Sequence, residues 1–426
     1  MKLVAAWIIG ICLSLLAARF LPAQEQPSRT PAESLASLLA EAEHSNPQIQ
    51  AARNAWNAAK QVPAQVSTLP DPEISVQQMS VGSPRPFSGY TNSEMANIAL
   101  GFSQEIPYPG KLRLRGQIAS KEAEAIKERY ESVRRAVLVN LKTRYFRLSF
   151  LTQKLSILQE DGNLLRPMEQ SAEARYRQGI GSQQDVLQAQ LEETRLLRET
   201  TATQLEAETI QAQLKQELNR PQSSEDIRVE PLAETPLAYT YEQLLDAARS
   251  SNPDVGMARR TAERDQLRVD LARKDFYPDF TLNYIWLRPD PFQYRARYEI
   301  SVGVRIPLFQ SRRQKPALAQ ARLEKDRAQN EYEAQSQQVA SDLRQQLAVA
   351  QKSADLLKIY SDGLMPQARA ELQAGMAAYQ SNREDFQALL ASFLDVLKLD
   401  EEYWQTMSDR ESALAQIEEL TGLTLR

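Results

Sequence analysis

Side chains able to do covalent or metal chemistry are scarce in this 426-residue chain. The one histidine, His44, sits beside a helix end with no second imidazole near it in sequence, which suits a surface position better than a catalytic one. The one cysteine, Cys12, lies in an apolar N-terminal run, so the rest of the chain has no thiolate for disulfides or soft-metal ligation. GIGS at 179–182 follows a helical pattern, whereas a phosphate loop follows a strand. Met79 and Met95 flank a turn-rich loop, and thioether sulfur suits Cu(I), but methionines beside strands serve packing more simply. These residues predict no enzyme, no cofactor and no resident metal. What stands out instead is two clusters of cations, Lys111, Arg113 and Arg115, then Arg312, Arg313 and Lys315. Long cationic side chains of this kind suit phosphate headgroups at a lipid surface, and equally a solvated helix. The whole chain carries a formal charge of −4, which argues against a nucleic-acid partner.

Both clusters sit at the same place in a repeated plan. IALGFSQEIPYPGKLRLRG at 98–116 runs a strand-like alternation through a proline into cations and then a long helical pattern, and ISVGVRIPLFQSRRQ at 300–314 does so again. HSNPQIQAAR at 44–53 returns as SSNPDVGMAR at 250–259, and LPDPEISV at 69–76 returns as YPDFTLNY at 277–284. LLRPMEQSAEARYRQG at 164–179 returns as GLMPQARAELQAGMAAYQS at 363–381. Order and spacing kept over four blocks mean an internal repeat. The expected division is a secretory signal over 1–23, a first repeat over 24–235 and a second over 236–426.

Each repeat predicts a helix broken at Asn-Pro, two strands, and a long helical hairpin. Strands are expected at about 73–80, 95–106, 279–287 and 297–307, and hairpins over 111–219 and 312–423. Ile98, Leu100, Phe102 and Ile106 share one strand face against Ala99, Gly101, Ser103 and Glu105 on the other. Tyr298, Ile300, Val302, Val304 and Ile306 likewise oppose Glu299, Ser301, Gly303 and Arg305. The alternation and length suit membrane-spanning strands, with Tyr108, Tyr277, Trp286 and Tyr298 near their ends as an aromatic girdle. Four strands cannot close a barrel, and an open edge in lipid would cost several kcal/mol per unpaired group, so several chains must share one barrel.

After Gly116 the apolar residues recur every three or four positions from Ala119 to Leu158, the pattern of coiled-coil packing. A helix from 111 to 176 would reach ~100 Å, less the loss at Gly162 and Pro167, with Gly363 and Pro366 as the matching kink. At the hairpin tips, Gly179 and Asn382 suit a left-handed helix end, and Ser182 and Asp385 suit N-caps.

The duplicated SNP helix, LPDP, SQEIPYPGK and YRQGIGSQQDVLQA together resemble the TolC family of outer-membrane efflux channels over essentially the whole mature chain. SQEIPYPGKL after LPDPEIS most resembles the heavy-metal branch of CusC- and CzcC-like channels. The resemblance implies a mainly α fold with a small β part: a coiled-coil α-helical barrel below four membrane strands per chain. It implies a homotrimer with a twelve-stranded barrel in the outer membrane of a Gram-negative-type bacterium, reaching into the periplasm. It implies a periplasmic adaptor and an inner-membrane pump of the resistance-nodulation-division type as partners, outer-membrane lipid around the barrel, and heavy-metal ions as cargo. Ducts for drugs or for type I protein secretion share the shape, and a periplasmic coiled-coil scaffold is the reading from another class. Adaptor contact is implied for Tyr176, Gln178, Gly179, Ile180 and Ser182, with Tyr379, Asn382, Arg383 and Asp385 in the second repeat. The family's acidic aperture ring would fall on Ala388 and Ala391, so Asp185, Glu384 or Asp385 is the candidate here.

Overall fold

The computed structural model describes residues 32–80, 96–289, 295–381 and 383–425. The expected signal segment, Met95 and Asn382 lie outside them. Each repeat opens on a helix pair parted at Asn-Pro: α1 (Leu35–Ser45) and α2 (Pro47–Ala59), then α6 (Tyr241–Ser251) and α7 (Pro253–Lys274). A short α3 (Val62–Ser67) follows α2. The break has a physical cause in both copies. Pro47 and Pro253 hold Asn46 and Asn252 in extended geometry, and each Asn side chain accepts from the next two free backbone amides. Each amide nitrogen then reaches the end of the repeat's return helix. Asn46 Nδ2 donates to the Glu217 carbonyl at 2.8 Å, and Asn252 Nδ2 to the Leu420 carbonyl at 3.1 Å. The repeated SNP motif is therefore both a cap and a clamp.

The strands are β1 (Glu73–Met79), β2 (Asn97–Ile106), β3 (Asp279–Pro289) and β4 (Arg297–Arg305). They form one antiparallel sheet in sequence order. Register places Val76, Leu100, Trp286 and Tyr298 in one cross-sheet row, and Gln104, Leu282 and Val302 in another. That face is uncovered: Ile74, Val76, Ile300 and Val302 are each 65 % exposed or more. The opposite face is polar, with Ser103 donating to Asn283 at 2.7 Å and Arg305 paired to Glu105 at 2.9 Å. Among the described residues β1 and β4 each have one unpaired edge.

From the sheet the chain enters α4 (Lys111–Arg177), which spans ~100 Å at 1.5 Å per residue. It returns as α5 (Gln183–Glu217). In the second repeat α8 (Gln314–Ile359) leads into α9 (Met365–Gln380), and α10 (Phe386–Thr421) returns. Val137, Leu141, Tyr145, Leu148, Leu151 and Leu158 of the expected stripe are buried. The two expected kinks resolve differently. α4 runs unbroken through Gly162 and Pro167. The second copy instead widens into a π-helical turn over Tyr360–Leu364, which carries Gly363 and ends just before Pro366. The extra residue per turn makes room for the proline ring and its missing N–H. Among the described residues, no helix is long and apolar enough to cross a membrane.

The linker between repeats is pinned to the helices. Tyr145 Oη accepts from the Glu230 amide at 2.8 Å and donates to the Glu33 carbonyl at 3.3 Å. Buried Glu411 receives the Thr235 hydroxyl at 2.6 Å, while buried Arg410 donates to the Thr235 carbonyl at 2.6 Å.

Candidate functional site

The first candidate feature is the sheet. Its exposed apolar face matches a lipid boundary, since contiguous apolar surface of this extent is rare on monomeric soluble proteins. Aromatic residues mark both ends of the band. Trp286 opposes Tyr298 at one end, and Tyr108 stacks on Tyr277 at the other, ring centres 4.6 Å apart with Lys274 over both. The polar face, lined by Ser103, Asn283, Ser301 and the Glu105–Arg305 pair, suits a water-filled interior.

The strand-to-helix junction corrects one expectation. Arg113, Arg115, Arg312, Arg313 and Lys315 are exposed where the chain leaves the sheet. Lys111 does not join them as a headgroup ligand. It is 3 % exposed, and its Nζ lies 3.0 Å from Asp279 and 3.2 Å from Asp275. The Tyr108 amide donates to the same Asp279 carboxylate at 2.8 Å. Lys111 thus binds the start of β3 to the start of α4, because a buried ammonium needs carboxylate partners rather than distant lipid phosphate. Asp279 was legible only as the repeated Asp of LPDP and YPDF; its partner was not.

The far ends of the hairpins form the candidate docking surface. Gly179 has φ +74°, with open space around the position of an added Cβ. Only glycine adopts that geometry without strain, and it turns the end of α4 toward Ser182. Ser182 and Asp185 make a reciprocal capping box at the start of α5, and Asp385 caps α10 through the Ala388 amide at 2.8 Å. Tyr176, Gln178, Gly179, Ile180 and Ser182 are exposed, as are Arg383 and Asp385.

Tyr379, expected on that surface, is not on it. It is 2 % exposed, edge-on to Phe386, with the Arg175 guanidinium 4.4 Å from its ring centre. Arg175 also donates to the Tyr379 carbonyl at 2.6 Å. Burial pushes the Tyr379 phenol up from its ordinary range. Its counterpart Tyr176 is 46 % exposed, so matching residues face opposite ways. The sequence reading missed Arg175, which ties the two tips together. Its signal was its place directly before Tyr176. Two of the three aperture carboxylates, Asp185 and Asp385, are engaged as caps, while Glu384 is half-buried beside Gly375.

The chain thus joins a sheet with an exposed apolar face to a helix ~100 Å long. Comparison gives the family. The model of the outer membrane efflux protein family matches residues 38–220 and 244–422, one segment per repeat, and the chain belongs to that family. It is accordingly an outer-membrane efflux channel protein of the TolC type, the class that serves tripartite efflux systems. Solved structures agree on the fold. VceC from Vibrio cholerae is 18 % identical with a TM-score of 0.78, over 92 % of this chain and 97 % of that one. CusC is 15 % identical with a TM-score of 0.77, over 91 % of each chain. The MtrE channel of Neisseria gonorrhoeae, solved in an open state, is 16 % identical with a TM-score of 0.75, over 92 % of this chain and 89 % of that one. No curated protein sequence matches the chain.

Proposed function

We propose that three copies of this chain close a twelve-stranded barrel in the outer membrane and a helical tunnel below it, forming the exit duct of a tripartite efflux pump. One observation carries the reading. Among the described residues the sheet has an uncovered apolar face and two unpaired edges, and in lipid those edges must pair with other copies. The tip residues Tyr176, Gln178, Gly179, Ile180, Ser182, Arg383 and Asp385 meet a periplasmic adaptor, which links the duct to an inner-membrane resistance-nodulation-division pump. Of the aperture candidates, Glu384 is the one that caps no helix among the described residues, which favours it as the gating carboxylate.

The cargo is heavy-metal ions. Support comes from SQEIPYPGKL following LPDPEIS, the stretch that resembles the heavy-metal branch. The duct needs no resident metal site, since tight binding would slow release. Growth of a deletion strain across silver, copper, zinc, cobalt, cadmium and a small drug panel tests this. Selective hypersensitivity to one metal group is expected. Sensitivity confined to drugs would keep the duct and remove the metal cargo.

A further inference from the structure

Where the first repeat hands over to the second, four side chains mate. Asp279 receives Lys111 and the Tyr108 amide, and Tyr108 stacks on Tyr277. Parts of the same chemical kinds stand at the two outer ends of the sheet, Leu69 with Asp71 and Phe309 with Arg312, with no ion pair among the described residues. After each strand-ending proline the chain makes a turn into its long helix, longer in the second repeat, and the two turns share one bond. The Lys111 amide bonds the Tyr108 carbonyl at 3.1 Å, and the Arg312 amide bonds the Phe309 carbonyl at 3.1 Å. Phe309 and Arg312 thus hold places similar to those of Tyr108 and Lys111, although Phe309 stands two residues past Pro307 where Tyr108 directly follows Pro107, and Arg312 precedes α8 by two residues where Lys111 opens α4. Likewise LPD at 69–71 opens β1 as YPD at 277–279 opens β3, so Leu69 matches Tyr277 and Asp71 matches Asp279. Inside the chain Lys111 is 3 % exposed, Tyr108 and Asp279 are half-buried, and Tyr277 is 48 % exposed. At the ends, Phe309 is 75 % exposed, Leu69 is 46 % exposed, and Asp71 and Arg312 are both exposed. Among the described residues neither Asp71 nor Arg312 has an ion-pair partner.

We infer that Arg312 of one copy pairs with Asp71 of the next while Phe309 covers Leu69, so that each handover between copies repeats the handover within a copy. This rests on the shared-barrel reading and assigns its helix-end latch. It also removes Arg312 from the lipid collar. The charges are opposite, the apolar members are the large exposed pair beside them, and both lie where the unpaired edges of β1 and β4 meet the helices.

The test uses the full chain with Cys12→Ser. Carrying Asp71→Cys and Arg312→Cys together, it should give covalent dimers and trimers on denaturing gels after treatment with a short bismaleimide, and either cysteine alone should not. Charge reversal is the second arm. Asp71→Arg or Arg312→Asp alone should lower the detergent-resistant trimer several-fold, and the two together should restore it. A wild-type native mass of three chains with neither cross-link nor rescue would overturn the latch and leave the shared barrel standing. A wild-type native mass of one chain in detergent would overturn the barrel itself.

Discussion

Asp161 should make the helical wall less stable as pH rises, and replacing it should remove that dependence. The side chain is 5 % exposed and its Oδ2 has no hydrogen-bond partner among the described residues. It lies on α4 beside a groove lined by Glu160, Ser361, Met365, Arg369 and Asp400, next to the π-helical turn. Burial, with Asp400 and Glu160 adding repulsion and Arg369 offsetting part of it, pushes its pKa from 3.8 up to about 7. A shift of about three units is worth ~4 kcal/mol at 1.36 kcal/mol per unit, and screening from the open groove reduces it to ~2 kcal/mol. The folded carboxyl keeps its proton to about pH 7, while the unfolded one loses it near 3.8. Between those values the folded state binds more protons, so stability falls as pH rises. Asp161→Asn keeps the shape and cannot ionise. It should match wild type near pH 4 and exceed it by ~2 kcal/mol above pH 7, which is roughly 2–4 °C in melting temperature for a chain this long. The assay is thermal unfolding in detergent at one protein concentration, followed by circular dichroism across pH 4 to 8. A variant that melts at the same offset at both ends of that range, or lower at pH 8, would refute the reasoning.

Gly179→Val forces a β-branched residue to φ +74°, at ~1–2 kcal/mol or more of local strain; efflux should fall while outer-membrane levels hold, and wild-type efflux would count against the tip assignment. Val302→Asp places a carboxylate on the apolar face at a position 65 % exposed, costing up to ~2 kcal/mol per chain; trimer recovered from outer-membrane fractions should drop sharply. Asn252→Ala removes a cap and strips the Leu420 carbonyl of its donor, a loss of ~2 kcal/mol readable as a lower melting temperature. Lys111→Met leaves Asp279 and Asp275 without their ammonium, at ~3 kcal/mol, so assembled protein should fall, and Asp279→Asn in the same chain should recover part of it.

The parts read correctly from sequence were those set by local periodicity. Strand faces follow a period of two, so the uncovered face of β2 and β4 was visible in Ile98 to Phe102 and Ile300 to Val304. The SNP breaks were visible because proline acts on its own neighbour. The errors arose where a distant partner decides. Lys111 looked like a collar residue because the acids that bury it belong to the other repeat. Tyr379 matched Tyr176 in its motif, yet Phe386 and Arg175 enclose it. Proline alone foretold a kink in both copies, whereas α4 absorbs Pro167 and the second copy spends a π turn before Pro366. Glu411 and Arg410, buried in α10, gave no hint that they anchor the linker at Thr235.

The central claim is that this chain works as a shared barrel rather than a free-standing sheet. Native mass spectrometry of the protein extracted from outer membranes in mild detergent tests it most directly. A mass of three chains is the predicted result. A single-chain mass, from protein recovered in the aqueous periplasmic fraction without detergent, would contradict it.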